Sequence, residues 1–157
     1  MYPWGKVVEK YIERGKSTML VGKYTHTLDA KNRMFIPAKH REILGDKFMI
    51  IKNVDNCLSV YSMPEWEKYT ARINELPKTQ AREIRRFVFS GAATVEPDSQ
   101  GRVQISEELK KFAGIEKGVV ILGCGEYAEI WSEEARLAEE TAEKTDSILE
   151  MMLEAGL

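Results

Sequence analysis

The apolar positions fall into short alternating runs punctuated by turn residues, and the pattern occurs twice. In the first half Val21, Tyr24 and Leu28 are interleaved with polar neighbours over 20–28, which predicts a strand. A turn follows, then a second strand over 34–36 that Pro37 closes. Residues 38–44 predict a helix of one to two turns, stopped by Gly45, because glycine readily takes the left-handed backbone that ends helices. Strands are predicted over 48–52 and 57–61, joined by the turn-rich 53–56. The second half repeats the order: strands over 91–95 and 103–105 around a turn, a short helix over 107–113 stopped by Gly114, and strands over 119–122 and 129–131. Between the halves, Pro64 opens a helix reaching residue 76, with Trp66, Tyr69 and Ile73 on one face. Pro77 breaks it, and 79–89 resumes with Ile84, Phe87 and Val88 apolar and Arg82, Arg85 and Arg86 on the polar side. One long helix is predicted over 133–153, since Ala138, Ala142, Thr145, Leu149 and Met152 recur at gaps of four and three. Such a seam needs a packing partner.

The duplication is sharpest at the turns. Asp29-Ala30-Lys31-Asn32-Arg33 and Asp98-Ser99-Gln100-Gly101-Arg102 lie 69 residues apart. The same offset places Gly45 on Gly114, and one further residue places 58–62 on 128–132. An internal repeat of this kind means two copies of one small β-rich unit. Aspartate in first position accepts hydrogen bonds from its own turn. Asn32 and Gly101 are the residue types that adopt positive φ most readily, so a tight left-handed turn is expected there. Each arginine then emerges at the mouth of a strand. Two readings of the Asp–Arg pair stand side by side: an ion pair that only holds a hairpin, or an arginine aimed at an outside partner. Exposed ion pairs add little stability, so duplicating one for stability alone would be weakly rewarded.

At 157 residues, 43% hydrophobic and 31% charged, the composition is that of an ordinary globular protein. No apolar run approaches the roughly 20 residues of a membrane span. The first 18 residues lack the apolar centre of a secretory signal, so the expected compartment is the cytoplasm. Two cysteines without CxxC spacing and two histidines exclude a zinc site built from those residues alone. With no nucleophile–base pair, phosphate loop or metal cluster, neither an enzyme nor a cofactor is expected. Cys57 and Cys124 are read as small buried hydrophobes, His26 and His40 as structural or surface residues. The net charge of −2 is uneven: residues 1–18 carry +2 and residues 136–157 carry −4, leaving the middle neutral. A neutral body can still present a basic face. Lys31, Lys39 and Arg41 surround the first turn in sequence, and Lys110 and Lys111 follow the second.

The segments LVGKYTHTLDAKNRMFIPAKHREILG, CLSVYSMPEWEKY, REIRRFVFSGAATVEPDSQGRVQIS and EIWSEE, spanning 19 to about 134, resemble the MraZ family of bacterial transcriptional regulators. The family's turn reads Asp-x-Lys-Gly-Arg, so this chain departs from it at Asn32 and at Gln100. The resemblance implies an α+β fold of two tandem AbrB-like swapped-hairpin β units, a pseudo-two-fold β-barrel with intervening helices and a C-terminal helix. The expected parts are an N-terminal extension (1–18), a first unit (23–65), a helical connector (66–89), a second unit (94–137) and a helical tail (138–157). It also implies homo-oligomeric rings, octamers or dodecamers, on short direct repeats of double-stranded DNA. Those repeats would lie upstream of the division and cell-wall gene cluster, whose expression, with its own promoter, the protein would repress on the nucleoid. Arg33 and Arg102 would face the bases, while Lys31, Asn32, Gln100 and Gly101 would position the backbone and Asp29 and Asp98 would hold the turns. Losing a charge at Gln100 would weaken the second unit's grip on phosphate. The rival reading is an antitoxin-like swapped-hairpin module that binds protein and has only non-specific DNA affinity. Arg82, Arg85 and Arg86 are read as a solvated helix face or inter-subunit pairing rather than a second DNA patch; Trp66, Tyr69, Ile73 and Phe87 are read as core or subunit interface. No metal, small-molecule substrate or membrane partner is expected.

Overall fold

The structure is a computed structural model that describes residues 18–141 and 144–157. The expected extension therefore lies outside the described residues except for Thr18. The first repeat forms β1 (Lys23–Thr27), β2 (Arg33–Phe35), α1 (Ala38–Leu44), β3 (Phe48–Lys52) and β4 (Leu58–Ser62). Helices α2 (Met63–Asn74) and α3 (Lys78–Ser90) follow. The second repeat forms β5 (Ala93–Val95), β6 (Arg102–Gln104), α4 (Glu107–Phe112), β7 (Gly118–Gly123) and β8 (Ala128–Ser132), and the chain ends in α5 (Glu133–Thr141) and α6 (Thr145–Glu154).

The strands do not pair within their own repeats alone. One antiparallel sheet runs β1-β7-β8-β4-β3-β5, and a separate ribbon joins β2 to β6. Exchanging each strand for its repeat equivalent turns this order into its own reverse, so a pseudo-two-fold axis relates the halves. Leu58↔Ile130 in β4·β8 and Met34↔Val103 in β2·β6 are cross-repeat pairs, as are those of β1 with β7 and of β3 with β5. These are two tandem swapped-hairpin units, as the resemblance implies.

Packing explains the apolar runs of β3 and β7. Phe48, Ile50, Val119 and Ile121 face inward, where they meet Met34, Ile36, Val103 and Ile105 of the ribbon side, together with Leu58, Val60, Ala128 and Ile130. Their alternates face the opposite side of the sheet, under helices. Met49 and Ile51 pack beneath Ile73 of α2 and Val88 of α3, with Trp66, Tyr69 and Phe87 half-buried around them. Val120 and Trp131 are covered near Ala135 of α5. Burial on both faces removes the polar alternation that a one-sided strand would show. Ser62 and Ser132, repeat equivalents, cap α2 and α5 by accepting from the N–H of Glu65 at 3.4 Å and Ala135 at 3.0 Å.

Four local expectations differ from the structure. Leu20 is buried and Val21 is exposed: Gly22, at φ 93°, re-phases the run, and Leu20 bridges to Gly125 ahead of β1. The single long helix is two, with Lys144 outside both at φ −102° and ψ −1°. Thr145, Asp146 and Ser147 favour helix starts over helix interiors, which accounts for a new beginning there. Of the expected seam, Ala138, Thr145, Leu149 and Met152 are exposed, and the side chain of Ala142 lies outside the described residues. Cys57 is buried as expected, whereas Cys124 is exposed just beyond the end of β7. His40 is buried and its Nε2–H donates to the Val21 carbonyl at 2.9 Å.

Ile130 sits fully buried at the centre of the sheet, between Leu58 and Ile121. Ile130→Ala is expected to cost about 2–5 kcal/mol of unfolding free energy. Val54→Ala, at a position 83% exposed, should stay within about 0.5 kcal/mol of the parent. Chemical denaturation of the two variants beside the parent checks both values.

Candidate nucleic-acid interface

Each repeat reverses direction between its first two strands at a turn built on one aspartate. At the first, Asp29 Oδ1 accepts from the N–H groups of Lys31 and Arg33, both at 2.9 Å. Its Oδ2 accepts from Arg33 Nε at 2.7 Å. The backbone closes through Asn32 N–H to the Asp29 carbonyl at 3.0 Å, and Asp29 N–H to the Arg33 carbonyl at 2.9 Å. The second turn repeats this nearly atom for atom. Asp98 Oδ1 accepts from the Gln100 and Arg102 N–H groups at 2.9 Å, and Oδ2 from Arg102 Nε at 2.8 Å. Asn32 has φ 59° and Gly101 φ 81°, the left-handed geometry expected of both. Hydrogen bonds from the N–H of each turn's arginine, then from its guanidinium and a second turn N–H, hold both carboxyl groups below the usual aspartate value despite partial desolvation.

Strand exchange sets the turns side by side. Ile36 N–H donates to the Gly101 carbonyl at 3.1 Å, and Ile105 N–H to the Asn32 carbonyl at 2.8 Å. Arg102 Nη1 lies 4.0 Å from Asp29 Oδ2, so the first aspartate faces both arginines. With Met34 and Val103 buried inward, alternation turns Arg33, Phe35, Arg102 and Gln104 to the outer face of the ribbon. Lys31 and Gln100 are exposed at the tips.

Two of these placements were not read from the sequence. Phe35 is 49% exposed among the charged groups, and Gln104 Nε2 donates to the Lys31 carbonyl at 3.0 Å. The cations of the short helices also cross over. Lys110, on α4 of the second repeat, donates to Asn32 Oδ1 at 3.1 Å, while Asn32 Nδ2 donates to Glu107 at 2.6 Å. Arg41, on α1 of the first repeat, lies on Gly101, and its Nε donates to the Ile36 carbonyl at 3.1 Å. A Cβ at position 101 would fall 2.6 Å from the Arg41 Cζ and Nη1. In sequence Arg41 belongs to the first turn and Lys110 follows the second; strand exchange reverses both assignments. Their spacing equals the repeat offset, which was the available signal.

Arg82, Arg85 and Arg86 are exposed; Arg86 pairs with Glu83 at 2.7 Å, and Arg85 donates to Asn74 at 2.6 Å and lies over the Phe89 ring. Among the described residues, no group of three or more His, Cys, Asp or Glu side chains is placed to hold a metal ion. No helix among them is long and apolar enough to cross a membrane.

A duplicated β unit with exchanged hairpins, carrying paired Asp-braced arginine turns on one face, defines a protein of the AbrB-like swapped-hairpin class. The sequence matches, over 19–87 and again over 88–146, a family model described as "MraZ protein, putative antitoxin-like". A protein of Leuconostoc citreum (strain KM20) is 44% identical over 140 residues, covering 87% of this chain and 98% of that one. A protein of Thermoanaerobacter sp. (strain X514) is 46% identical over 138 residues, covering 87% and 95%. One of Carboxydothermus hydrogenoformans is 48% identical over 118 residues, covering 74% and 82%. Each of the three is named "Transcriptional regulator MraZ". The chain belongs to the MraZ family.

The lowered carboxyl groups carry a pH dependence. A group whose folded value is depressed stabilises the fold above its ordinary value, here 3.8, and loses that contribution as pH falls through the folded value. Melting temperature should therefore fall less steeply on acidification below about pH 4 in Asp29→Asn/Asp98→Asn than in the parent. Parallel acid limbs in the two proteins would contradict the assignment.

Proposed function

We propose that this protein is a transcriptional regulator that reads short direct repeats in double-stranded DNA through its paired turns. The observation that carries the reading is the pair of arginines, each braced by its own aspartate and set next to the other. With Nε spent on the carboxylate, the Nη nitrogens form an end-on fork. Such a fork matches guanine O6 and N7 in the major groove, at about 1–3 kcal/mol of discrimination per contact. Arg33 and Arg102 take that role; Asp29 and Asp98 hold and aim them. Lys31, with the backbone of Asn32, Gln100 and Gly101, sets the turns against phosphate. The relatives' printed name supports a role in transcription. Copies assembled in a ring, an octamer or dodecamer, would meet repeats about one DNA turn apart and add their contacts through effective concentration. The target is the promoter region of the division and cell-wall gene cluster, including the protein's own promoter, repressed in the cytoplasm on the nucleoid. The family description's words "antitoxin-like" favour a second reading, a regulator that acts by binding another protein.

Binding to a promoter fragment with its tandem repeats, against a repeat-scrambled fragment, across a salt series separates the two. The expected result is repeat-dependent binding whose log affinity falls with log salt at about −0.9 per phosphate contacted. Arg33→Ala and Arg102→Ala should lose repeat preference while the oligomer, followed by gel filtration, persists. Equal weak binding to both fragments would overturn the DNA-reading account in favour of a protein partner.

A further inference from the structure

We infer that Arg41 is a phosphate contact of the second turn, reached from the opposite repeat. The inference rests on the DNA-binding reading above. It starts from an asymmetry between the turns: the first carries Lys31 at its tip, and the second carries Gln100 at the equivalent position. The second turn is thus short of a cation from its own repeat. Strand exchange brings one from α1. Arg41 is tied by Nε to the Ile36 carbonyl and lies across the Gly101 backbone, half-buried beside the turn.

Among the described residues Arg41 forms no ion pair, although Asp46, Glu96 and Asp98 line the cleft beside it. Arg33 and Arg102 are each paired with their own aspartate at 2.7 and 2.8 Å. Among the described residues, no carboxylate oxygen lies within 4.0 Å of an Arg41 nitrogen. A guanidinium held by a neutral carbonyl keeps its full charge and further N–H donors, which suits an anionic oxygen pair. The equivalent Lys110 at the first turn donates instead to Asn32, whose amide also reaches Glu107. The cations beside the turns are therefore arranged differently: Lys31 of its own repeat at the first, Arg41 of the other repeat at the second.

Gly101 holds φ 81°, and a Cβ there would meet the guanidinium end of Arg41 at 2.6 Å, so that side chain would have to move. Asparagine tests the contact without breaking the turn, because Asn32 holds the same backbone geometry at φ 59°. Gly101→Asn keeps the turn and evicts Arg41.

The test is DNA binding across a salt series with the repeat and scrambled fragments. Arg41→Ala is expected to weaken binding to both fragments by the same factor and to lower the salt slope by about 0.9 for each copy engaged. Arg41→Lys should keep the slope. Gly101→Asn should behave as Arg41→Ala does, and the double variant should be no weaker than either single one. An unchanged slope in Arg41→Ala would overturn the inference. So would a loss confined to the repeat fragment, which would make Arg41 a support of the turn only. If Gly101→Asn does not fold, the slopes of the two Arg41 variants decide. Should Arg33→Ala bind normally, the DNA-reading account fails and takes this inference with it. If Arg33→Ala fails to bind while Arg41→Ala matches the parent in affinity and slope, this inference alone falls.

Discussion

Strand exchange between the two repeats is the constraint on which everything else depends. A hairpin alone is marginal in water, and here β3·β4 and β7·β8 are the hairpins that each repeat forms by itself. Joining them through β4·β8 and flanking them with β1 and β5 of the opposite repeats produces six continuous strands. The ribbon β2·β6 then closes the inner face over Phe48, Ile50, Val119 and Ile121. Neither repeat holds a complete core, so the halves fold as one body. That same exchange places turns 69 residues apart in sequence within hydrogen-bonding contact.

The chemistry of the turn follows from this placement. One aspartate gathers two backbone N–H groups and a guanidinium, using both its oxygens. An exposed ion pair of this kind adds little to stability. Under the DNA-reading proposal its value lies in orientation: the arginine is fixed before the DNA arrives, and the entropy of ordering a long side chain is already spent. A net charge of −2 is compatible with this because the potential that a partner meets is local. Among the described residues, Glu139 and Glu140 of the C-terminal stretch pair with Lys144, Lys23 and Arg136 and with neither turn.

Local signals were legible and non-local ones were not. Helix 38–44 and strand 48–52 coincide with α1 and β3, because Pro37, Gly45 and an unbroken apolar run mark them within a few residues. The turns were legible for the same reason, since aspartate, a positive-φ residue and arginine each act on their immediate neighbours. Pairing is another matter. Nothing in the alternation of β1 says that it lies beside β7 rather than β2, and sequence order alone gives no sign that Arg41 lies at the second turn and Lys110 at the first. Gly22 shifts the two-residue period and turns Val21 outward, and the heptad-like seam runs on past the break at Lys144. Phe35 and Gln104 became visible only when β2 was seen to pair with β6.

The most direct test of the central claim, that the braced arginines read guanine edges in the major groove, is methylation interference on the repeat-bearing promoter fragment. Methylation at guanine N7 removes the acceptor on which an arginine fork depends. Fragments methylated at particular guanines within each repeat should be depleted from the bound fraction, at positions recurring with the repeat spacing. An even distribution of methylated guanines between bound and free DNA would contradict the account.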